Sequence, residues 1–222
     1  MPFVGQVANL LAVQSEISPA GQEERSFIEN ARRAQIIECA INAIAELGYA
    51  NASLAEIAKR AGVSKGVISY HFAGKGELIQ QVVNAVMEKA GAVMLPRIFA
   101  EHTEAGMLRA YIESNLEFLD SNRNDIAAVT NIAVGARNDH GKPIIDLALM
   151  FEPAVQALET LLRSGQDSGQ FREFPARVMA VTIRNSIDAL GTLLAADPGL
   201  DLKLHANELT TLFNLATRKS PA

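Results

Sequence analysis

Residues 53–78, SLAEIAKRAGVSKGVISYHFAGKGEL, constrain the fold more than any other segment of the chain. Ser53-x-x-Glu56 is a capping box, in which each side chain is expected to satisfy a free N–H of a first helical turn. Leu54, Ile57, Ala58 and Ala61 then recur at helical spacing, so one face of 53–61 is buried. Gly62 supplies the positive φ that stops this helix, and Ser64 caps the next. Over 64–72, Ile68 and Phe72 share one side, while Gly66 and Tyr70 point away with Val67 and Ser69 flanking them. A helix this short and β-branched does not persist alone. It is held by its neighbours and offers its outer face elsewhere, which is the layout of a helix-turn-helix.

The rest of the chain reads as helix. Of 222 residues 49% are hydrophobic, with no Trp and eight prolines, which favours an all-α fold over a β-rich one. A first helix is expected from Ser26 or Asn30 to Leu47, its stripe Ile37, Ala40, Ile41, Ile44 and Leu47, stopped by Gly48. A long fourth helix starts at Lys75 and is expected to end at Pro96. Five further segments follow near 104–120, 123–138, 143–166, 175–196 and 201–217. Breaks fall at Asn138-Asp139-His140-Gly141, from Ser164-Gly165 to Gly169, and at Asp197-Pro198-Gly199. Pro153 should kink or split the seventh helix. The resulting domains are a tail at 1–25, a helix-turn-helix unit at 26–78 and a helical bundle at 79–222.

Chemistry of other kinds finds little footing. Cys39, the single cysteine, allows neither an internal disulfide nor a cysteine-based metal cage, and suits a reduced, packed thiol in the cytoplasm. His102, His140 and His205 lack metal-ligand spacing, and no nucleophile elbow or phosphate-binding glycine loop occurs, so neither an enzyme nor a cofactor is expected. The apolar start MPFVGQVANLLAV lacks a basic leader and is too short to span a bilayer; no later run is long enough, so a soluble protein away from membranes is expected. Net charge is −5, but it is unevenly placed. Between Ser53 and Lys75, Lys59, Arg60, Lys65 and Lys75 outweigh Glu56, whereas from Gln81 onward 13 cations face 17 anions. A basic end on an acidic body suits a molecule that meets phosphate with one face only.

The string from about Arg32 to Leu78 resembles the TetR family of bacterial transcriptional regulators. It holds Gly48-Tyr49, Ser53-Leu54, Ile57-Ala58, Ala61-Gly62-Val63-Ser64, Gly66, His71-Phe72, Lys75 and Leu78 in the family's order and spacing. The resemblance implies nine helices with the DNA-binding unit first, followed by a ligand-binding and dimerisation bundle. It matches Lys75 to the lysine that clamps the DNA backbone, and His71 to a histidine that touches phosphate or braces the helix. One position departs: the family's phosphate-binding tyrosine before Tyr70 is Ser69 here, so that contact is lost, shortened or taken over by Tyr70.

On the reading helix, Lys65 reaches a guanine edge or a phosphate, Val67 packs on a thymine methyl, and Gly66 permits close approach. Tyr70 offers its hydroxyl to phosphate, and Ser53 marks a helix N-terminus that favours one. One short helix specifies too little sequence, so two copies about 34–36 Å apart are needed on a palindromic operator. Ile183, Ile187, Leu190 and Leu194, with Leu209, Leu212 and Phe213, form apolar stripes suited to a four-helix homodimer interface. An apolar effector cavity is expected from Met107, Tyr111, Asn115, Phe118, Met150, Phe151, Val155 and Met179, and the acidic surplus points to a cationic or amphipathic small molecule. Arg184 and Asp188, four residues apart, are placed to pair with each other. The expected function is a ligand-responsive homodimeric repressor. An activator or ligand-insensitive regulator of the same fold fits the same residues, and a helical binder or enzyme without DNA recognition is the reading from another class.

Overall fold

The computed structural model describes residues 23–137 and 140–219, with the side chains of 23–26, 147 and 148 left aside. Residues 1–22 of the expected tail and the Asn138-Asp139 break lie outside the described residues. Within them the protein is all-α, with nine helices: α1 (Glu23–Asn51), α2 (Leu54–Arg60), α3 (Lys65–His71), α4 (Lys75–Ala100), α5 (Glu104–Ser121), α6 (Arg123–Gly135), α7 (Leu147–Asp167), α8 (Ala176–Ala196) and α9 (Leu202–Thr217).

Two compact units divide these helices. One holds α1, α2, α3, the first half of α4 and α6. Its core is Ile36, Ala40, Ala43 and Ile44 of α1 with Ile57, Ile68, Phe72, Leu78, Ile79 and Val82. Of the expected α1 stripe, Ala40 and Ile44 are buried, Ile37 and Ile41 are half-buried and Leu47 is exposed, while Ile36 and Ala43 complete the buried face. Gly48, at φ 75° and ψ 162°, breaks α1 and lets the chain turn toward α2. Residues 124–146 group with this unit, although the expected division set them in the bundle beyond residue 78. The reason is local: Asn131 Nδ2 donates to the Ile44 carbonyl at 3.0 Å, and Asn124 Nδ2 to Asn42 Oδ1 at 3.3 Å. Such pairing across 87 residues has no periodic signature.

The other unit contains the second half of α4 with α5, α7, α8 and α9. Leu108, Ile112, Leu116, Leu158, Leu162, Ile183, Ile187 and Phe213 fill its interior. Its helix starts follow the sequence: Thr103 Oγ1 accepts the Gly106 N–H and Asp201 Oδ1 the Leu204 N–H. Pro96 does not end its helix, and Pro153 does not split its own. Pro96 and Pro153 both lie inside continuous helices, α4 and α7. Proline's φ is already helical and it removes a single backbone donor; packing on both sides of each proline outweighs that local loss. Helix α8 is also long and apolar enough to cross a membrane by length and composition, contrary to expectation, yet part of it is buried within this unit.

Candidate nucleic-acid interface

The turn between α2 and α3 forms as its residues dictate. Ser53 Oγ accepts the Glu56 N–H at 3.2 Å, but the reciprocal half of the capping box is absent: the Ser53 N–H goes to the Asn51 carbonyl at 2.9 Å. Glu56 is drawn instead to Arg60 Nε at 3.0 Å. At the other end Gly62, with φ 65°, closes a Schellman motif. Its N–H donates to the Lys59 carbonyl at 3.2 Å, and the Val63 N–H to Ala58 at 3.0 Å. Ser64 Oγ then accepts the Val67 N–H at 3.3 Å and starts α3.

Burial of Ile68 and Phe72 decides which face of α3 turns outward. Lys65, Gly66, Ser69 and Tyr70 are exposed, Val67 and His71 are half-buried, and Ser53 stands exposed at the start of α2. Tyr70 is 73% exposed, large for an aromatic side chain. Its hydroxyl donates to Glu29 Oε1 of α1 at 3.1 Å, and its ring meets His71 edge-on with centroids 5.0 Å apart. Gly66 has only Ser64 Oγ, at 3.6 Å, near where a Cβ would stand. The fold itself therefore does not require glycine there.

Behind this surface lies a brace that sequence reasoning missed. Arg33 of α1 donates to the His71 carbonyl at 2.5 Å and to Glu77 at 3.3 Å, and its guanidinium covers the Phe72 ring at 4.5 Å. Glu77 also accepts the Ala73 N–H at 2.7 Å, and these two donors, the backbone one foremost, hold its carboxyl below the usual range. Arg33 and Glu77 are 44 residues apart, so no helical spacing announces the pair. Lys75 is half-buried, its ammonium donating to the Tyr49 carbonyl at 2.6 Å and lying 4.1 Å from the centre of the Tyr49 ring. Burial lowers its pKa. Arg60 is paired with Glu46 at 2.7 Å as well as with Glu56, which reduces the basic surplus read from sequence.

The Glu77 carboxyl has a pH consequence. A carboxyl depressed by folding contributes stability above the titration range of the unfolded glutamate, and that contribution disappears as pH falls through the folded value. Urea midpoints of the wild type are therefore expected to drop on acidification, and those of Glu77→Gln to start lower at neutral pH and change less. Parallel curves for the two proteins would exclude this role for Glu77.

Of the effector residues, Tyr111, Asn115, Phe118 and Val155 are buried, whereas Met107, Met150, Phe151 and Met179 are half-buried. The bundle does hold a cavity of about 270 Å³, but it is lined by Glu101, Thr103, Leu108, Arg109, Phe171, Thr210 and Asn214 among others, and by none of the expected eight. Those lie largely within or against the apolar core, where Val155 and Tyr111 are members and Met107 and Met179 pack against it. The expected dimer residues divide between the interior and the surface. Ile183, Ile187, Leu190, Leu194 and Phe213 are buried inside the bundle and Leu209 packs against it, leaving Leu212 exposed. The outward apolar side chains of these helices are Val178 and Leu193 of α8, with Leu204, Leu212 and Leu215 of α9. Among the described residues no cluster of His, Cys, Asp or Glu could hold a metal ion.

Residues 36–82 match the family model described as bacterial regulatory proteins, tetR family. The HTH-type transcriptional regulator BetI of Pectobacterium carotovorum subsp. carotovorum (strain PC1) is 35% identical over 111 residues, 49% of this chain and 56% of that protein. BetI of Yersinia pestis (strain Pestoides F) is 35% identical over 118 residues, 52% of this chain and 59% of its own length. The chain thus spans little more than half the length of these curated relatives. Among solved structures, FadR of Bacillus subtilis in complex with stearoyl-CoA superposes with a TM-score of 0.68 at 26% identity, covering 81% of this chain and 96% of that one. The fatty acid degradation regulator FadR of Bacillus halodurans shares the fold, with a TM-score of 0.68 at 22% identity over 82% and 97% of the two chains.

Proposed function

We infer that this chain, whose residues 36–82 belong to the tetR family of bacterial regulatory proteins, is a ligand-responsive homodimeric transcriptional repressor of the cytoplasm. It binds a palindromic operator through α3 of each protomer and is released by a small-molecule effector. The observation that carries this reading is the outer face of α3. Lys65, Gly66, Ser69 and Tyr70 are exposed on a helix anchored from behind by Ile68 and Phe72. In the complex the Tyr70 hydroxyl exchanges Glu29 for a phosphate, and Lys65 meets a base edge or the backbone. Lys75 acts on DNA from a position already tied to Tyr49, so it presents the start of α4 as much as its own charge.

Gly66 supplies the discriminating test. An alanine Cβ fits the protein there, and alanine in a helix is favoured over glycine by about 0.5–1 kcal/mol. Gly66→Ala is expected to unfold at slightly higher temperature yet bind operator DNA about tenfold more weakly, because its methyl holds the helix off the groove. Gel shifts on DNA upstream of the coding region, with thermal unfolding of the same samples, check it. Tyr70→Ala and Lys65→Ala should each lose affinity without losing stability, and Lys65→Ala should flatten the salt dependence. Unchanged binding in all three variants would remove α3 as the reading helix.

Two protomers pair through α8 and α9, whose Val178, Leu193, Leu204, Leu212 and Leu215 present apolar surface outward. The effector is amphipathic, a class that includes the stearoyl-CoA named for the Bacillus subtilis relative. It acts by preferring the protomer separation that does not fit successive major grooves.

A further inference from the structure

Inside the bundle, Arg184 of α8 is only 7% exposed. Its Nη1 donates to the Tyr111 hydroxyl and to Asn115 Oδ1, both at 3.0 Å, and its Nη2 pairs with Asp188 Oδ1 at 2.6 Å. The Phe151 ring of α7 covers the guanidinium, its centre 5.0 Å from Cζ. Three donor contacts of the planar group thus go to three side chains, but Nε is buried with no partner. A buried charged donor left without an acceptor is costly, and native interiors rarely leave one. The arrangement exceeds what anchoring α8 requires, since Asp188 alone, four residues on, would neutralise the charge.

We propose that Arg184 is the recognition point for the carboxylate of an amphipathic effector, whose oxygens take Nε and the adjacent Nη2 side by side. The inference rests on the reading of the bundle as the effector domain and names the class of molecule it admits. Guanidinium and carboxylate match as planar forks, and the Nε edge is the one Asp188 leaves unused. Asp188 is a poor permanent partner: burial raises its carboxyl pKa despite Arg184, and its side chain keeps 27% of its surface open. Two of its partners, Asp188 and Phe151, are only half-buried and keep part of their surface open. The apolar body follows from the surroundings, since Tyr111 and Val155, one turn beyond Phe151 on α7, belong to the hydrophobic core. The acidic surplus of the chain's exterior does not bear on this interior cation.

Straight-chain carboxylates from acetate to dodecanoate, each beside the alcohol and the trimethylammonium of equal length, test the proposal by calorimetry on the full chain without DNA. At the best chain length the carboxylate is expected to bind about tenfold or more tightly than its alcohol, and the ammonium more weakly than either. Arg184→Lys, which keeps the charge but lacks the fork, should abolish that preference while leaving alcohol binding in place. Asp188→Asn, which removes the competing carboxylate, should strengthen carboxylate binding several-fold, and it answers the question if the Arg184 variant does not fold. Equal binding of acid and alcohol, no binding by any member, or an unchanged preference in Arg184→Lys overturns the proposal. Gel shifts of the same wild-type preparation report separately on DNA recognition, so a failed carboxylate leaves that reading standing or falling by itself.

Discussion

Leu212→Asp is expected to give a folded monomer that no longer retards operator DNA at concentrations where the wild type binds fully. Leu212 is 55% exposed on α9, so a carboxylate there leaves the monomer's interior untouched. Across a twofold axis the same change brings two charges into apolar surface, where neither finds a partner. Two linked reading helices bind more tightly than one by about 10²–10⁴ through effective concentration alone, and that factor vanishes when the protomers part. Analytical ultracentrifugation and gel shifts on one preparation check both halves. Ile187→Asp is the contrasting case: Ile187 is fully buried within the protomer, so that variant is expected to unfold, not to dissociate. A Leu212→Asp protein that stays dimeric would move the interface off this face of α9.

Phe171→Ala is expected to cost about 3–5 kcal/mol, the range for deleting a buried aromatic ring. For a chain of this size that corresponds to a fall of about 6–20 °C in melting temperature. Phe171 is 2% exposed, in the segment between α7 and α8. Its N–H donates to the Gly165 carbonyl at 2.8 Å, and the next residue, Arg172, donates its own N–H to Thr217 at the end of α9 at 2.8 Å. The ring lies against the backbone of α7, where a Cβ on Gly165 would stand 2.1 Å from Phe171 Cδ2. Gly165→Ala should therefore destabilise as well. Together the two changes should cost clearly less than their sum, because removing the ring relieves the clash. Thermal unfolding of the two single variants and the double variant measures this coupling, and strict additivity would mean that Gly165 is small for some other reason.

Gly165 shows where reading the sequence stops. In sequence it is one of several glycines and serines marking a break after α7, and α7 does end at Asp167. What requires glycine at 165 is a ring six residues later folding back onto the helix, and no local pattern carries that contact. Arg33 and Glu77 are similar. Each is an ordinary surface charge in its own helix, and their shared task of holding the end of α3 exists only once α1 and α4 are packed. The apolar stripe of α8 is ambiguous for a related reason. Periodicity reports that a face is apolar, but it cannot say whether the same chain or a second copy covers it.

The helix-turn-helix was legible because its determinants act within a turn or two. Ser53, Gly62 and Ser64 satisfy backbone groups of their own neighbours, and Ile68 with Phe72 leaves one outward face for α3. Those residues settle the type and boundaries of α3 and which of its faces turns outward. Pairings between distant residues were settled by packing alone: the core register of α1, the engagement of Lys75 by Tyr49, the grouping of α6 with the first helices, and the unmatched edge of Arg184. A hydrogen bond or a ring contact depends on distance in space, and the linear order of residues fixes that distance only across the few positions that a single helical turn spans.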